Sequence, residues 1–424
     1  RPRGRGDQGV KKKVTDPVPR RFNGELGVIS VGVERLFSDT IKPKAVIMSS
    51  WMKRRLLVLA SRVSYRSAAE DFNEDTFRDP GAEADGAIAY TTLQHVAETW
   101  GNMAHSGFVH EADLVLEEAS GGAPEVSMDR LAGTVRQDAG TGTVPPEVSA
   151  MIEEFNAGRG EEFRIKGEKG ISDAVTAWAE RDETVSISFD GVLQHKQREK
   201  RAPKGESSGR GPKKWLEVTD TSISAGGRNV MFPAKDQKEA TRLALAVILA
   251  NGLESKKFAF FSDGAKSIRN SVCDVWGTHV REYHLDPLHL SKKIDEKISL
   301  GVKDKKEEKA ALKRKLFGII WAGNVDDFIS CVRGIPEGKI KNKAAIENLV
   351  SYVDDKRDII PCYALRSLLG LKNSSNDAEL ANRILVTQRG KNAAMSWSKK
   401  GSLALAAITA CHRSGQLERL IAMA

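Results

Sequence analysis

The chain's 424 residues are 40% hydrophobic and 29% charged, the balance of a globular protein with room for two or three domains. No apolar run approaches the roughly 18 residues of a membrane span, so no membrane partner is expected. The formal charge of +9 sits in two segments, residues 1–21 and 195–214. Each holds eight basic against two acidic groups, a net +6 apiece, which leaves the body of the chain at −3. Phosphate contact or plain solvation both account for such runs. The opening "RPRGRGDQGVKKK" lacks an apolar core and an initiator Met, so a signal peptide is not expected and the true N-terminus is expected upstream. Cys273, Cys331, Cys362 and Cys411 lack metal-ligand spacing and read as reduced thiols of an intracellular protein.

Residues 1–45 read as a basic, flexible tail. From Trp51, a stripe of Leu56, Leu57, Leu59, Ala60 and Val63 predicts a helix. Ser64 is a good N-cap for a second helix, which carries Ala68 and Ala69 before Phe72. In "YTTLQHVAETWG", Leu93, Val96, Ala97 and Trp100 share a face, and Gly101 predicts a stop. Residues 46–110 are therefore expected as a helical, helix-turn-helix-like DNA-binding region, a small helical bundle being the bland alternative. Its candidate DNA contacts are Thr91, Thr92, Gln94 and His95. Residues 111–178, rich in Gly, Ala and acids, read as a linker with some helix.

The pattern then changes. "ETVSISFDGVL" alternates Val185, Ile187 and Phe189 and is expected to deliver Asp190 at a strand end. "KKWLEVTDTSISAGGRNVMFPA" predicts two strands around a Gly-Gly turn, and "DQKEATRLALAVILANG" a helix. "KKFAFFSDGAKSIRN" predicts a strand ending at Asp263, then a helix, and "HVREYHL" a strand leading to Asp286. Three strands followed by alternating strand and helix is the order of an RNase H-like mixed α/β sheet. Residues 179–300 are expected to form the first part of that core and 301–370 an all-helical insertion. Residues 371–424 are expected to be the core's C-terminal helices.

Asp190 and Asp263 each follow an apolar strand and each precede Gly. Helix capping explains one such Asp, but in an RNase H-like order the two strands are neighbours and their carboxylates are expected to face each other. Convergent carboxylates are costly unless a cation neutralises them. Hard cations such as Mg²⁺ or Mn²⁺ take oxygen ligands and leave positions open for phosphates, and two such ions serve phosphoryl transfer. A third carboxylate is available on the helix from Asn376, where both Asp377 and Glu379 occur; by itself Glu379 also reads as a first-turn acid facing the helix dipole.

The ordered set of Asp190-Gly, Asp263-Gly-Ala, "LDPLHL" and "ELANRILVTQRGKNAAMSWSKKGSLAL" resembles DDE transposases of the Mutator-like kind and related bacterial insertion-sequence transposases, over about residues 180–410. The resemblance implies Asp190, Asp263 and Glu379 as the metal-binding triad. Asp286 and His289 match an Asp/Cys-x-x-His signature, with His289 as a catalytic candidate. Trp397 matches an M-x-W-S stretch and is a supporting residue. It further implies DNA as partner, at element ends and target, a homo-oligomer on DNA, and a location with DNA in nucleoid or nucleus. Lys196, Arg198, Lys200, Arg201, Lys204 and Arg210 are the basic-segment candidates for phosphate contact. A catalytically silent DNA-binding descendant and a nuclease that cuts without joining are the alternatives.

Overall fold

The computed structural model describes residues 49–76, 88–123, 126–135, 143–197, 215–390 and 396–422, with the backbone of strands Arg20–Gly24 (β1) and Gly27–Val31 (β2). Two compact units result, one of residues 1–97 with 415–424, the other Glu98–Ser414.

In the first unit β1 and β2 pair antiparallel, Phe22 opposite Ile29, so part of the expected tail is a hairpin. Helices α1 (Ser50–Arg62) and α2 (Tyr65–Thr76) follow. Ser49 caps α1 by accepting from Met52 N at 3.1 Å, and Ser64 accepts from Ser67 N at 3.0 Å, as Ser does at N-caps. Leu56, Leu57, Ala60, Ala68 and Phe72 are buried. Asn73 clasps Ile88 through both its amide atoms, at 2.8 and 3.1 Å, just ahead of α3 (Tyr90–Ser120).

Helix α3 does not stop at Gly101; it runs for 31 residues. Gly101 instead marks a close crossing, because a Cβ there would lie 2.1 Å from the carbonyl oxygen of Ala404. The region 111–178 is likewise more than a linker. Ala112 and Leu116 of α3 join the main core. Helices α4 (Pro146–Asn156) and α5 (Glu168–Ala179) pack Val148, Ala174 and Val175 against Cys362 and Leu365.

The second unit is mixed α/β. Its sheet has the order β5-β4-β3-β6-β7, built from β3 (Thr184–His195), β4 (Trp215–Ala225), β5 (Arg228–Ala234), β6 (Lys257–Ser262) and β7 (Val280–Leu285). β3, β4 and β5 run antiparallel; β6 and β7 run parallel to β3. Gly226 and Gly227, with φ of 53° and 75°, make the two-residue turn between β4 and β5, a conformation that suits glycine.

Alternation assigns the faces. Val185, Ile187 and Phe189 pack with Ile223, Phe258, Phe260 and helices α6 (Gln237–Ala250) and α7 (Lys266–Trp276). Phe260 meets Trp276 edge-on at 5.1 Å. The opposite face is polar at its centre, with Ser188, Asp220 and Ser222 all buried. After α8 (Pro287–Gly301) come α9 (Lys306–Trp321), α10 (Val325–Arg333), α11 (Lys343–Asp354) and α12 (Tyr363–Leu368). Their shared core includes Leu290, Ile294, Leu316, Ile320, Phe328 and Leu349, so α8 packs with the helices expected over residues 301–370. The chain returns through α13 (Asn376–Ala381), which packs on β3 and β4, a π-helical turn at Asn382–Thr387, and α14 (Lys399–Arg413) against β4 and β5. Among the described residues no helix is long and apolar enough to cross a membrane.

Candidate active site

Pairing register places the acids. Asp190 is the direct partner of Asp220 across β3 and β4. The β3–β6 ladder ends at Ser188 opposite Phe261, so two residues further Asp190 comes level with Asp263. The β6–β7 ladder ends at Ser262 opposite Leu285, so the next step brings Asp263 level with Asp286. Asp190 is not at a strand end as expected. β3 continues to His195 because β4 pairs with it that far, and it is only on the β6 side that the ladder stops before Asp190.

The Asp190 carboxyl is raised to about 6, chiefly by burial and also by repulsion from Asp263 and Glu379, while His289 and the Gly191 N–H pull the other way. All four expected site residues therefore share one electrostatic neighbourhood. Asn382 Nδ2 donates to Asp190 Oδ2. Asp263 Oδ1 accepts from Ala265 N at 2.8 Å, across Gly264 at φ 74°, so Asp263 also shapes the turn into α7. Lys356 Nζ donates to Gly264 O at 2.8 Å; burial holds this amine below its ordinary range, against the opposing pull of Asp263.

The structure separates the two candidates on α13. Asp377 Oδ2 accepts from Ser224 Oγ and Lys372 Nζ, both at 2.7 Å. Burial works against its charge, yet those two bonds hold it below the ordinary carboxylate range. Glu379 is one-third exposed, 3.5 Å from Lys292 Nζ, and is the α13 acid that acts on Asp190.

Asp286, fully buried, is a joint. Its Oδ1 accepts from Leu288 N at 2.7 Å, capping α8, and its Oδ2 accepts from Ser375 N at 2.6 Å and from Ser375 Oγ. It thus ties the start of α13 to the end of β7. His289 lies half-buried in the first turn of α8. Trp397 is buried; its Nε1 donates to Gly390 O at 2.9 Å, and its backbone bridges the end of β3 through His195 O and Gln197 N.

A groove of about 520 Å³ opens beside Asp263, lined among others by Gly191, Lys196, Trp215, Lys235 and Lys399. Trp215 is half exposed and stacks on His195 at 4.2 Å. Of the basic-segment candidates, Lys196 lies on this groove, while Arg198, Lys200, Arg201, Lys204 and Arg210 fall outside the described residues. Thr91 and His95 are exposed on the first turns of α3, with Thr92 and Gln94 half-buried.

Among the described residues no three His, Cys, Asp or Glu side chains stand in position to hold one metal ion. The donor set is nonetheless of the right kind: hard carboxylate oxygens at one level, mutually repelling, with Asp190 turned to Asn382 and Glu379 to Lys292. Three site residues escape the sequence reading. Asp220 is recognisable in hindsight by parity, since it sits in the inward series Leu216, Val218, Asp220. Asn382 follows Glu379 by three positions and so shares its helix face. Lys356 comes from the insertion and carries no local signal.

Compared with protein-family models, with curated proteins and with solved structures, the chain matches none.

Proposed function

We propose that the chain is a DNA transposase of the DDE kind, with an RNase H-like core. The observation that carries this reading is the level placement of Asp190 and Asp263 on neighbouring parallel strands, with Glu379 and His289 acting on the same carboxylate. The order β5-β4-β3-β6-β7, with β5, β4 and β3 antiparallel and β6 and β7 parallel to β3, supports the RNase H-like core. The position of the helical insertion before Glu379 agrees with it.

Asp190, Asp263 and Glu379 would hold Mg²⁺ or Mn²⁺, which when bound supplies charge neutralisation of a phosphodiester and an activated oxygen. Asp190, which accepts from Asn382, and Glu379, beside Lys292, are the oxygens a cation would take, and Asp286 holds α13 in place beneath them. His289 donates to a non-bridging phosphate oxygen, and Lys196 and Lys399 hold backbone phosphates along the groove. In cleavage, a water oxygen bonds phosphorus, the bond from phosphorus to the 3′-oxygen breaks, and that oxygen takes the proton. In joining, the freed 3′-hydroxyl oxygen bonds a target phosphorus, the bond from that phosphorus to its own 3′-oxygen breaks, and the proton passes from the attacking to the leaving oxygen. DNA is the partner, and a homo-oligomer would align two ends.

The test is a joining assay with purified protein, divalent metal and pre-cut 3′-OH ends taken from the flanks of its own gene. Joined product is expected, and Asp190→Asn or Asp263→Asn should abolish it. Binding without chemistry would instead identify a silent descendant, and cutting without joining a nuclease.

A further inference from the structure

Asp220 is the acid that the triad leaves unexplained. Its side chain is 0% exposed, and neither carboxylate oxygen has a hydrogen-bond partner. Burying an unpaired carboxylate is among the costlier things a fold can do, and native structures avoid it unless something compensates.

Its neighbours offer nothing. On β5 the residue opposite is Pro233, which has no N–H to give. Along β4 on the same face stand Val218, which is apolar, and Ser222, whose hydroxyl donates to Asn229 Oδ1 at 2.9 Å. On β3 the residue opposite is Asp190, another acid. Directly opposite residues in an antiparallel pair put their Cβ atoms about 4.5–5.5 Å apart, a separation at which like charges oppose one another. No cation of the described residues forms an ion pair with either aspartate. Cβ atoms that close leave two carboxylates within reach of one hard cation, and Asn382 Oδ1, also buried, is a further oxygen without a partner beside Asp190.

Resting on the carboxylate–cation reading above, we infer that Asp220 is a fourth carboxylate of the cation site and binds, together with Asp190, the ion nearer β4. The assigned triad then divides: Asp190 is shared between Asp220 on one side and Asp263 on the other. This also explains why the polar centre of the sheet face is retained beneath α13, where packing alone would favour apolar side chains. A proton lodged between Asp190 and Asp220 is the competing occupant, and the experiment separates the two.

Full-length wild type and Asp220→Asn are titrated with Mn²⁺ by calorimetry, and each is melted in Mn²⁺ and in EDTA. Asp220→Asn should bind Mn²⁺ about 10-fold more weakly or lose one ion. Its melting temperature in EDTA should equal or exceed that of wild type, and its gain on adding Mn²⁺ should shrink. Unchanged stoichiometry and affinity in Asp220→Asn, with wild type binding normally, would overturn the assignment and leave the proton as occupant. Wild type that binds no Mn²⁺ would overturn the cation reading itself, so the two failures are distinct. Should Asp220→Asn not fold, Fe²⁺ with ascorbate and peroxide is used on wild type: backbone cuts at β4 as well as β3 are expected, and cuts that spare β4 would count against Asp220.

Discussion

Asp377 and Glu379 occupy the same turn of α13, yet their surroundings give them opposite tasks. Asp377 is tied to Ser224 and Lys372 and welds α13 to β4, whereas Glu379 is left facing Asp190 with a single exposed lysine beside it. Glu379→Gln keeps the volume and removes the charge. It should cost no more than about 0.3–1 kcal/mol of stability, the worth of a first-turn acid, while joining falls at least about 100-fold through a misplaced ion. Asp377→Asn still accepts from Ser224 and should cost about 1 kcal/mol, with joining close to wild type. Urea melts and joining rates on the two variants check this; activity lost in Asp377→Asn and kept in Glu379→Gln would exchange their roles. In the sequence the residues by themselves left both acids open and only the family resemblance favoured Glu379, because the physical distinction rests on Ser224, more than a hundred residues away.

At the scale of elements, what alternation governs was readable and what register governs was not. Val185, Ile187 and Phe189 announce a strand with one buried face, and the Gly-Gly pair announces its hairpin. That Asp190, beyond the expected Asp263, also stands level with Asp220 and Asp286 depends on which residues pair across strands, a matter of tertiary contacts. Gly101 illustrates the same limit. A glycine after a helical stripe reads as a stop, and only the crossing with α14 reveals it as a contact point, with the Ala404 carbonyl 2.1 Å from where a Cβ would be. Gly101→Val should therefore force α3 and α14 apart and cost about 1–3 kcal/mol or more. Gly107, six residues on in the same helix, has nothing within 4 Å of its would-be Cβ, so Gly107→Ala should be neutral or stabilise by up to about 1 kcal/mol. Thermal melts of the pair test the crossing, since equal effects would mean that helix propensity, not contact, sets both.

At the scale of the whole molecule, the sheet, the insertion and the helix bearing Glu379 must be held as one frame, and a buried ion pair does this. Arg366 of α12 donates to Glu282 of β7 through Nη1 at 2.7 Å and Nη2 at 3.3 Å, and also to Lys372 O, just ahead of α13. His284 is 3.4 Å from Glu282; burial holds its imidazole below the ordinary value, against the opposing pull of Glu282. Burial opposes the Glu282 charge, yet His284 and Arg366 together bring its carboxyl down to about 2, from an ordinary 4.5. An acid depressed on folding contributes stability that is complete above its unfolded value and lost as pH falls through the folded one. For Glu282 that contribution is of the order of 3 kcal/mol, present above about pH 4.5 and gone near pH 2. Glu282→Gln removes the titrating group, so the gap in unfolding free energy between it and wild type should be widest near pH 6 and close towards pH 2. Arg366→Met leaves the carboxylate buried without its partner and should cost about 3–5 kcal/mol near neutrality. On the proposed function, joining should fall too, because the Lys372 carbonyl that leads into α13 loses its donor. Denaturant melts from pH 2 to 6 decide the matter: if wild type and Glu282→Gln decline in parallel over that range, the acid sensitivity of the fold lies in other carboxylates and this pair is not what holds the frame.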